Sequence, residues 1–215
     1  MSLLFSPPST DDLIRLLKAW RFWSLGALVG ALIGAAIFYI APPPYRARAT
    51  VLVDFNLEQA WPQETDRQQF FYLERETRKL EEIAWSDDVM NLLSSGLLVP
   101  INELRDGKLE LSQPAEAGWH FYAEDKSPER AQELAAAWAY AFTEQARESI
   151  RTSTGLNSFI KVEVTQGENL PVERSISLSE YLLVGAIGFL GLGSLFILFF
   201  PLTSRPSPAE IGGGG

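Results

Sequence analysis

Few residues in this sequence have the types and spacing that catalysis needs. His120 is the single histidine and cysteine is absent, so neither a Cys/His zinc site nor a thiol nucleophile is predicted. The phosphate-binding pattern G-x-x-x-x-G-K-[ST] does not occur. His120 lies between Trp119 and Phe121, and we expect it to be a half-exposed residue of a strand.

Carboxylates are plentiful, and pairs that are adjacent in sequence include Glu81 and Glu82, Asp87 and Asp88, and Glu124 and Asp125. Neighbouring acids of this kind usually form a solvated face or complement a helix N-terminus. General acid–base catalysis instead needs groups placed around a reacting bond. We therefore predict no catalytic residue, no metal site and no cofactor, and we expect that the protein is not an enzyme.

Two long uncharged stretches dominate the chain. Residues 22–45 contain no charged side chain, and neither do residues 181–202. About 20 apolar residues span a hydrocarbon core as a helix, and in hydrocarbon the backbone must satisfy its own hydrogen bonds. We predict transmembrane helices at residues 22–41 and 181–202.

A cleaved signal peptide is the alternative for the first stretch. The apolar region of a signal peptide is usually shorter and ends at a small-residue cleavage site. Here apolar residues continue beyond Ala35 and Ala36 to Pro42-Pro43-Pro44. The second apolar stretch also favours a two-helix hairpin over a secreted protein.

The charge is concentrated between the two stretches. Residues 42–180 hold 24 acidic and 14 basic side chains, a net charge of −10, against −9 for the whole chain. Nucleic acid requires a basic footprint, so nucleic acid is not expected as a partner. The same charge disfavours docking on anionic lipid.

Basic residues in the short flanks predict the orientation. Arg15, Lys18 and Arg21 precede the first stretch and Arg205 follows the second, and such residues stay on the cytoplasmic side. We therefore expect cytoplasmic segments at 1–21 and 203–215, with residues 42–180 outside the cytoplasm. Residues 212–215 are all glycine, the composition of an artificial linker, and are excluded from the reasoning.

Hydrophobic periodicity predicts an α+β domain between the apolar helices. The predicted elements are a strand at 45–53, a helix at 63–84, a helix that Ser86 caps and Gly96 ends, strands at 108–112 and 119–123, a helix from Ser127 to Ser149, and a strand at 159–165. The first and last strands both adjoin an apolar helix, so we expect them to be neighbours in one sheet. A further interfacial helix is predicted from Leu13, Leu16, Leu17 and Trp20.

Glycines recur in both apolar stretches. Small residues at helical spacing let two membrane helices approach closely. The residues predicted to pack in this way are Gly26, Gly30 and Gly34 in the first stretch and Gly185, Gly188 and Gly191 in the second. The pattern is common in membrane helices, so ordinary packing is an equal alternative to a specific interface.

Several short motifs stand in a fixed order between the apolar stretches. The residues that carry them are Pro44, Tyr45, Ala47 and Ala49, then Ser86 and Val89, then Pro128 and Ala131, and finally Pro171. In this order they resemble the chain-length determinants of bacterial surface polysaccharides, the Wzz-type polysaccharide co-polymerases, in the short form without a kinase domain. The chain departs from that family in the run Ala135–Ala137, where the family usually has asparagine, and in the single proline before the second stretch.

The resemblance implies a non-catalytic regulator of polysaccharide length in the bacterial inner membrane. It implies a closed homo-oligomer beside a polysaccharide polymerase, acting on a growing undecaprenyl-linked glycan of O-antigen, capsule or exopolysaccharide type. Two alternatives stay open: a membrane-anchored extracytoplasmic binding or sensor domain, and an accessory protein of polysaccharide export.

Overall fold

The computed structural model describes residue 14 and residues 17–60, 66–113, 118–152 and 155–199. These residues divide into two compact units, one containing the apolar helices and the other spanning Pro43–Ser175. The predicted tail at 203–215 and most of the predicted interfacial helix lie outside the described residues.

The described elements are α1 (Trp20–Ile40), β1 (Tyr45–Asp54), α2 (Leu57–Ala60), α3 (Asp66–Ala84), α4 (Asp87–Leu97), α5 (Ile101–Glu103), β2 (Leu109–Ser112), β3 (Gly118–Asp125), α6 (Pro128–Arg151), β4 (Lys161–Gln166), β5 (Val172–Arg174) and α7 (Leu178–Phe199). The two apolar helices, α1 and α7, pack against each other, and each is long and apolar enough to cross a bilayer. The coarse prediction of two apolar helices flanking a domain of helices and sheet is confirmed.

The domain is built on an antiparallel sheet with β1 in its middle. The strand order is β2-β3-β1-β4, and β5 pairs with β1 on the same side as β4. The pairing of β1 with β4 confirms the predicted neighbourhood of the first and last strands, although β4 begins at Lys161, two residues after the predicted start. Strand β5 pairs with the first half of β1 and β4 with the second half. This edge of the sheet therefore consists of two short strands with a break between them.

One face of the sheet is the core face. The side chains of Ala47, Ala49, Val51 and Val53 alternate along β1 and are buried, and α6 packs on this face across β1, β3 and β4. Small alanines on α6 and on β1 let the helix lie close to the sheet. Helices α3 and α4 pack against α6.

An aromatic cluster fills the space between α6 and the sheet. The ring of Trp138 meets the ring of Phe121 edge-on at 4.8 Å between centroids, and Phe142 stacks on Trp119 at 5.7 Å. The indole N–H of Trp138 donates to the carbonyl oxygen of Ala84 at 2.9 Å. This bond satisfies the only polar atom of a fully buried indole and joins α6 to the end of α3.

Two helix starts are capped as the sequence predicts. The Ser86 hydroxyl accepts from the Val89 N–H at 3.4 Å at the start of α4, and the Ser127 hydroxyl accepts from the Arg130 N–H at 3.4 Å at the start of α6. Pro128 occupies the first turn of α6, where its missing N–H costs nothing.

Two details of the predicted elements are wrong. Helix α4 does not stop at Gly96 but continues to Leu97, and Leu98 takes the left-handed conformation with φ 54°. Strand β5 was not predicted at all, since three residues are too few to show an alternation.

Candidate functional site

The predicted glycines bring α1 and α7 into backbone contact. A Cβ on Gly30 would lie 2.2 Å from the carbonyl oxygen of Gly185, and one on Gly34 would lie 2.2 Å from that of Tyr181. Gly26 is at the edge of the contact, with the carbonyl oxygen of Phe189 at 3.5 Å from a Cβ. No larger residue fits at Gly30, Gly34 or Gly185 without separating the helices.

The other two glycines of α7 lie away from this contact. A Cβ on Gly188 or Gly191 would meet no heavy atom within 4 Å among the described residues. Gly188 instead lines an apolar groove of about 430 Å³ beside the contact, together with Ile33, Ile37 and Val184.

The motif residues of the central domain have structural positions. Ala47 and Ala49 are fully buried in β1 and Ala131 in α6, while Val89 is almost fully buried in α4. Ser86 and Pro128 are at helix starts. Pro44 accepts a backbone hydrogen bond from Ser175 at 2.9 Å, which ties the start of β1 to the residue after β5. Pro171 is exposed just before β5.

His120 lies on β3, on the sheet face opposite the core, half-buried as expected. Its Nδ1 is 3.2 Å from the Thr50 hydroxyl, across the strand pair β1 and β3. Burial and then the nearby Arg48 guanidinium lower the pKa of His120, so the ring is neutral at pH 7. In the described part of the chain no group of three or more histidine and carboxylate side chains could hold a metal ion.

Some of the paired carboxylates serve helix starts and ion pairs. Asp87 is in the first turn of α4 and binds the Arg105 guanidinium at 2.6 Å. Asp125 accepts from the Ser127 N–H and from the Lys108 ammonium, both at 3.1 Å. Burial alone would raise the pKa of Asp125, but these two hydrogen bonds together with the positive charges of Lys108 and Arg130 outweigh it, and the pKa is lowered.

A buried carboxylate that the sequence analysis did not single out lies on α3. The side chain of Glu76 is almost inaccessible; its Oε1 accepts from Arg75 and Lys79 at 2.9 Å, and its Oε2 accepts from the Asn157 N–H at 3.2 Å. A buried charge needs such partners. Burial and then the charge of Glu76 raise the pKa of the nearby Tyr72 to about 12. The contact with Asn157 joins residues 81 positions apart, so no local pattern indicates it.

The sheet face opposite α6 is polar. In the part of the chain that the structure describes, no helix packs on it. The side chains on this face alternate with the buried ones along each strand. They are Arg46, Arg48, Thr50 and Leu52 on β1, Glu110 and Ser112 on β2, His120, Tyr122 and Glu124 on β3, Glu163 on β4 and Glu173 on β5. The alternation along β1 already places Arg46 and Arg48 on this face, but it says nothing of their partners.

Arg46 and Arg48 lie at one end of this polar face, and Arg174 pairs with Tyr45 at the same end on the core face. Arg46 binds Glu110 and lies 4.0 Å from Glu124, and its guanidinium stacks on the Tyr122 ring at 4.1 Å. Arg174 stacks on the Tyr45 ring at 3.8 Å and donates to the Pro43 carbonyl oxygen at 2.6 Å. This end is the one through which the chain enters and leaves the domain.

No protein-family model matches this chain, and no curated protein matches it significantly. The residues and the fold therefore carry the functional inference.

Proposed function

We propose that the protein is a non-catalytic regulator of the length of a bacterial surface polysaccharide. In this proposal it is an inner-membrane homo-oligomer with both termini in the cytoplasm and the central domain outside. Its partners are further copies of the same chain, a polysaccharide polymerase in the same membrane, and the growing undecaprenyl-linked glycan.

The observation that carries the proposal is how the chain enters and leaves the domain. Tyr45 at the start of β1 pairs with Arg174 at the end of β5, and the Ser175 N–H donates to the Pro44 carbonyl oxygen at 2.9 Å. Because the strands are antiparallel, entry and exit lie side by side at one end of the sheet. A domain held between two membrane-spanning helices needs this arrangement, and the family that the sequence resembles has the same order of elements.

The positions of the motif residues support the same family. Most of them belong to the first strand and to the starts of the two helices that pack on or near the sheet, while Pro44 directly precedes β1 and Pro171 directly precedes β5. These positions determine how the domain is built, and none of them presents a nucleophile or an acid–base pair. Regulation by a shaped surface fits this set of residues better than catalysis does.

A deletion of the gene tests the proposal. Lipid-linked or surface glycan is separated on a gel, and we expect the deletion to replace a modal length with a broad distribution while polymer is still made. Complementation with the Trp138→Asp variant should fail in the same way. This substitution puts an unpaired charge into the aromatic cluster, at a cost of several kcal/mol.

The matched control is complementation with Arg78→Gln, at an exposed position of α3, which should restore the modal length. Loss of all polymer in the deletion strain, with the polymerase still abundant, would instead indicate a role in synthesis. Glycan of normal length that accumulates inside the cell would indicate an export accessory. An unchanged distribution would refute the proposal.

A further inference from the structure

The end of the polar sheet face where the chain enters and leaves the domain contains a small polar pocket of about 290 Å³. It is lined by Arg46, Arg48, Tyr122, Pro171, Glu173, Arg174 and Ser175. Its volume is at the lower end of the range of ligand cavities, ~300–1,000 Å³. Three arginines and one glutamate give the lining a net positive charge, although residues 42–180 as a whole carry −10. The pocket thus has the opposite sign to the domain around it.

The three arginines are not equivalent. Arg46 is neutralised by Glu110 and held on the Tyr122 ring. Arg174 is engaged by the Pro43 carbonyl, the Tyr45 hydroxyl at 2.9 Å and the Tyr45 ring. Both guanidinium groups are therefore fixed in position by contacts within the domain.

Arg48 has no such contacts. Within the described residues no carboxylate pairs with it, and its Nε, like that of Arg46, is buried without a hydrogen-bond partner. Its position on β1 pairs with Tyr122 on one side. On the other side Arg48 has no paired residue in the part of the chain that the structure describes. Strand β5 pairs with β1 only up to Ala47, and β4 pairs with β1 only from Thr50 onward. The break in the edge strand therefore leaves space next to Arg48, which among the described residues has neither a carboxylate partner nor the neutral contacts that hold Arg174.

A buried polar atom without a partner costs free energy unless a ligand satisfies it. The guanidinium group is a planar donor whose parallel N–H bonds match the two oxygens of a carboxylate or phosphate.

We infer that this pocket binds an oxyanion carried by a sugar, with Arg48 as the bidentate donor. The ligand chemistry is a carboxylate, as in a uronic acid, or a phosphate ester. The oxyanion preference follows from the pocket alone, whereas the choice of a sugar as carrier depends on the proposed function.

Calorimetric titration of the full chain in phosphatidylcholine nanodiscs at low salt tests the inference. The probes are tetragalacturonate, glucose 1-phosphate and inorganic phosphate, with maltotetraose as the uncharged control. We expect an acidic sugar to bind and maltotetraose not to bind. Binding should weaken at least tenfold in Arg48→Gln and remain unchanged in Arg78→Gln, which removes the same charge from an exposed position. Arg48→Lys should give an intermediate loss, because lysine keeps the charge without the planar fork.

A second measurement needs no variant. Phenylglyoxal modifies accessible arginines, and mass-spectrometric mapping should show that tetragalacturonate or glucose 1-phosphate protects Arg48 but not Arg78. Preference for tetragalacturonate would assign a uronate, and preference for glucose 1-phosphate a sugar phosphate. Inorganic phosphate binding as tightly as both would refute the sugar carrier. Equal binding of maltotetraose, equal affinity in a folded Arg48→Gln variant, or absence of protection at Arg48 would refute the pocket.

The outcomes separate this inference from the proposed function. If no probe binds while the deletion strain still loses its modal length, the pocket is refuted and the length regulator stands. If a probe binds through Arg48 while the deletion leaves the glycan unchanged, the pocket stands and the length regulator is refuted.

Discussion

Several buried polar side chains of this acidic domain are stabilised by specific partners. Two strongly buried polar groups have dedicated partners: the Trp138 indole binds the Ala84 carbonyl, and Glu76 binds two cations and an N–H group. In the part of the chain that the structure describes, the Nε atoms of Arg46 and Arg48 are buried without a hydrogen-bond partner. A half-buried guanidinium group with an N–H that has no hydrogen-bond partner is a feature that indicates a binding site.

Titration of His120 is the first prediction. Because burial and then Arg48 lower its pKa, the folded state binds this proton less readily than the unfolded state does. The free energy of unfolding should therefore fall as the pH drops from about 7.5 to 5, and it should fall less in His120→Gln. The chain has a single histidine, so selective labelling gives one NMR signal, with a midpoint below ~6.5.

Arg48→Gln should move that midpoint upward, since it removes one of the two causes. Arg78→Gln, on α3, should leave it unchanged. A midpoint at or above the ordinary histidine value in the unmodified protein would contradict the prediction.

The buried hydrogen bond of Trp138 gives the second prediction. Trp138→Phe removes the indole N–H, leaves the Ala84 carbonyl oxygen without this donor and opens a small cavity. We expect the free energy of unfolding to fall by roughly 2–4 kcal/mol, a large part of the 5–15 kcal/mol typical of a domain. Urea unfolding of the full chain in detergent micelles, followed by circular dichroism, measures the change.

Tyr140→Phe is the control on the same helix. Tyr140 is 51% exposed, so loss of its hydroxyl should change stability by less than ~0.5 kcal/mol. Equal effects of the two substitutions would show that the Trp138 hydrogen bond contributes nothing specific.

At the scale of elements, the two apolar helices depend on glycine at three points of contact. Gly34→Leu should separate α1 from α7, because its side chain would overlap the Tyr181 carbonyl. The rings of Phe38 and Tyr181 are 5.6 Å apart across this contact. Since the chain lacks cysteine, cysteines at these two positions provide an unambiguous intramolecular cross-link in the membrane. We expect Gly34→Leu to abolish the cross-link.

Gly188→Leu is the matched control, since a Cβ there meets no heavy atom within 4 Å among the described residues and the side chain can extend into the apolar groove. It should leave the cross-link intact. A cross-link that forms equally well in Gly34→Leu would mean that the close glycine contact does not hold the helices together.

The elements were predictable where a periodic pattern lasts several residues. The alternation along β1 and the apolar face of α6 identify the core and the order of packing, because burial imposes that period. Strand β5 and the turn at Leu104–Lys108, where Asp106 and Gly107 leave helical geometry, are too short to carry a period. The partners of Glu76 and the space beside Arg48 depend on residues distant in sequence, so the pocket beside Arg48 could not be predicted from spacing.

At the scale of the whole molecule, the distribution of basic residues predicts the orientation. Single cysteines at Ser9, Ser95 and Ser207 should react differently with an impermeant thiol reagent applied to spheroplasts. Only the Ser95 site, exposed on α4, should be labelled, and all three should be labelled after lysis. Reaction at Ser9 before lysis would reverse the predicted orientation.

The pairing of β1 with β5 also determines how the domain responds to mechanical load. Tension on the two chain ends acts across antiparallel neighbours at Tyr45 and Arg174, so their hydrogen bonds would break one after another, as in a zipper, and would not share the load. The Arg174 side chain closes this end through the Pro43 carbonyl and the Tyr45 ring. A force that breaks these Arg174 contacts would separate the three residues of β5 from β1 first and leave the aromatic cluster under α6 intact.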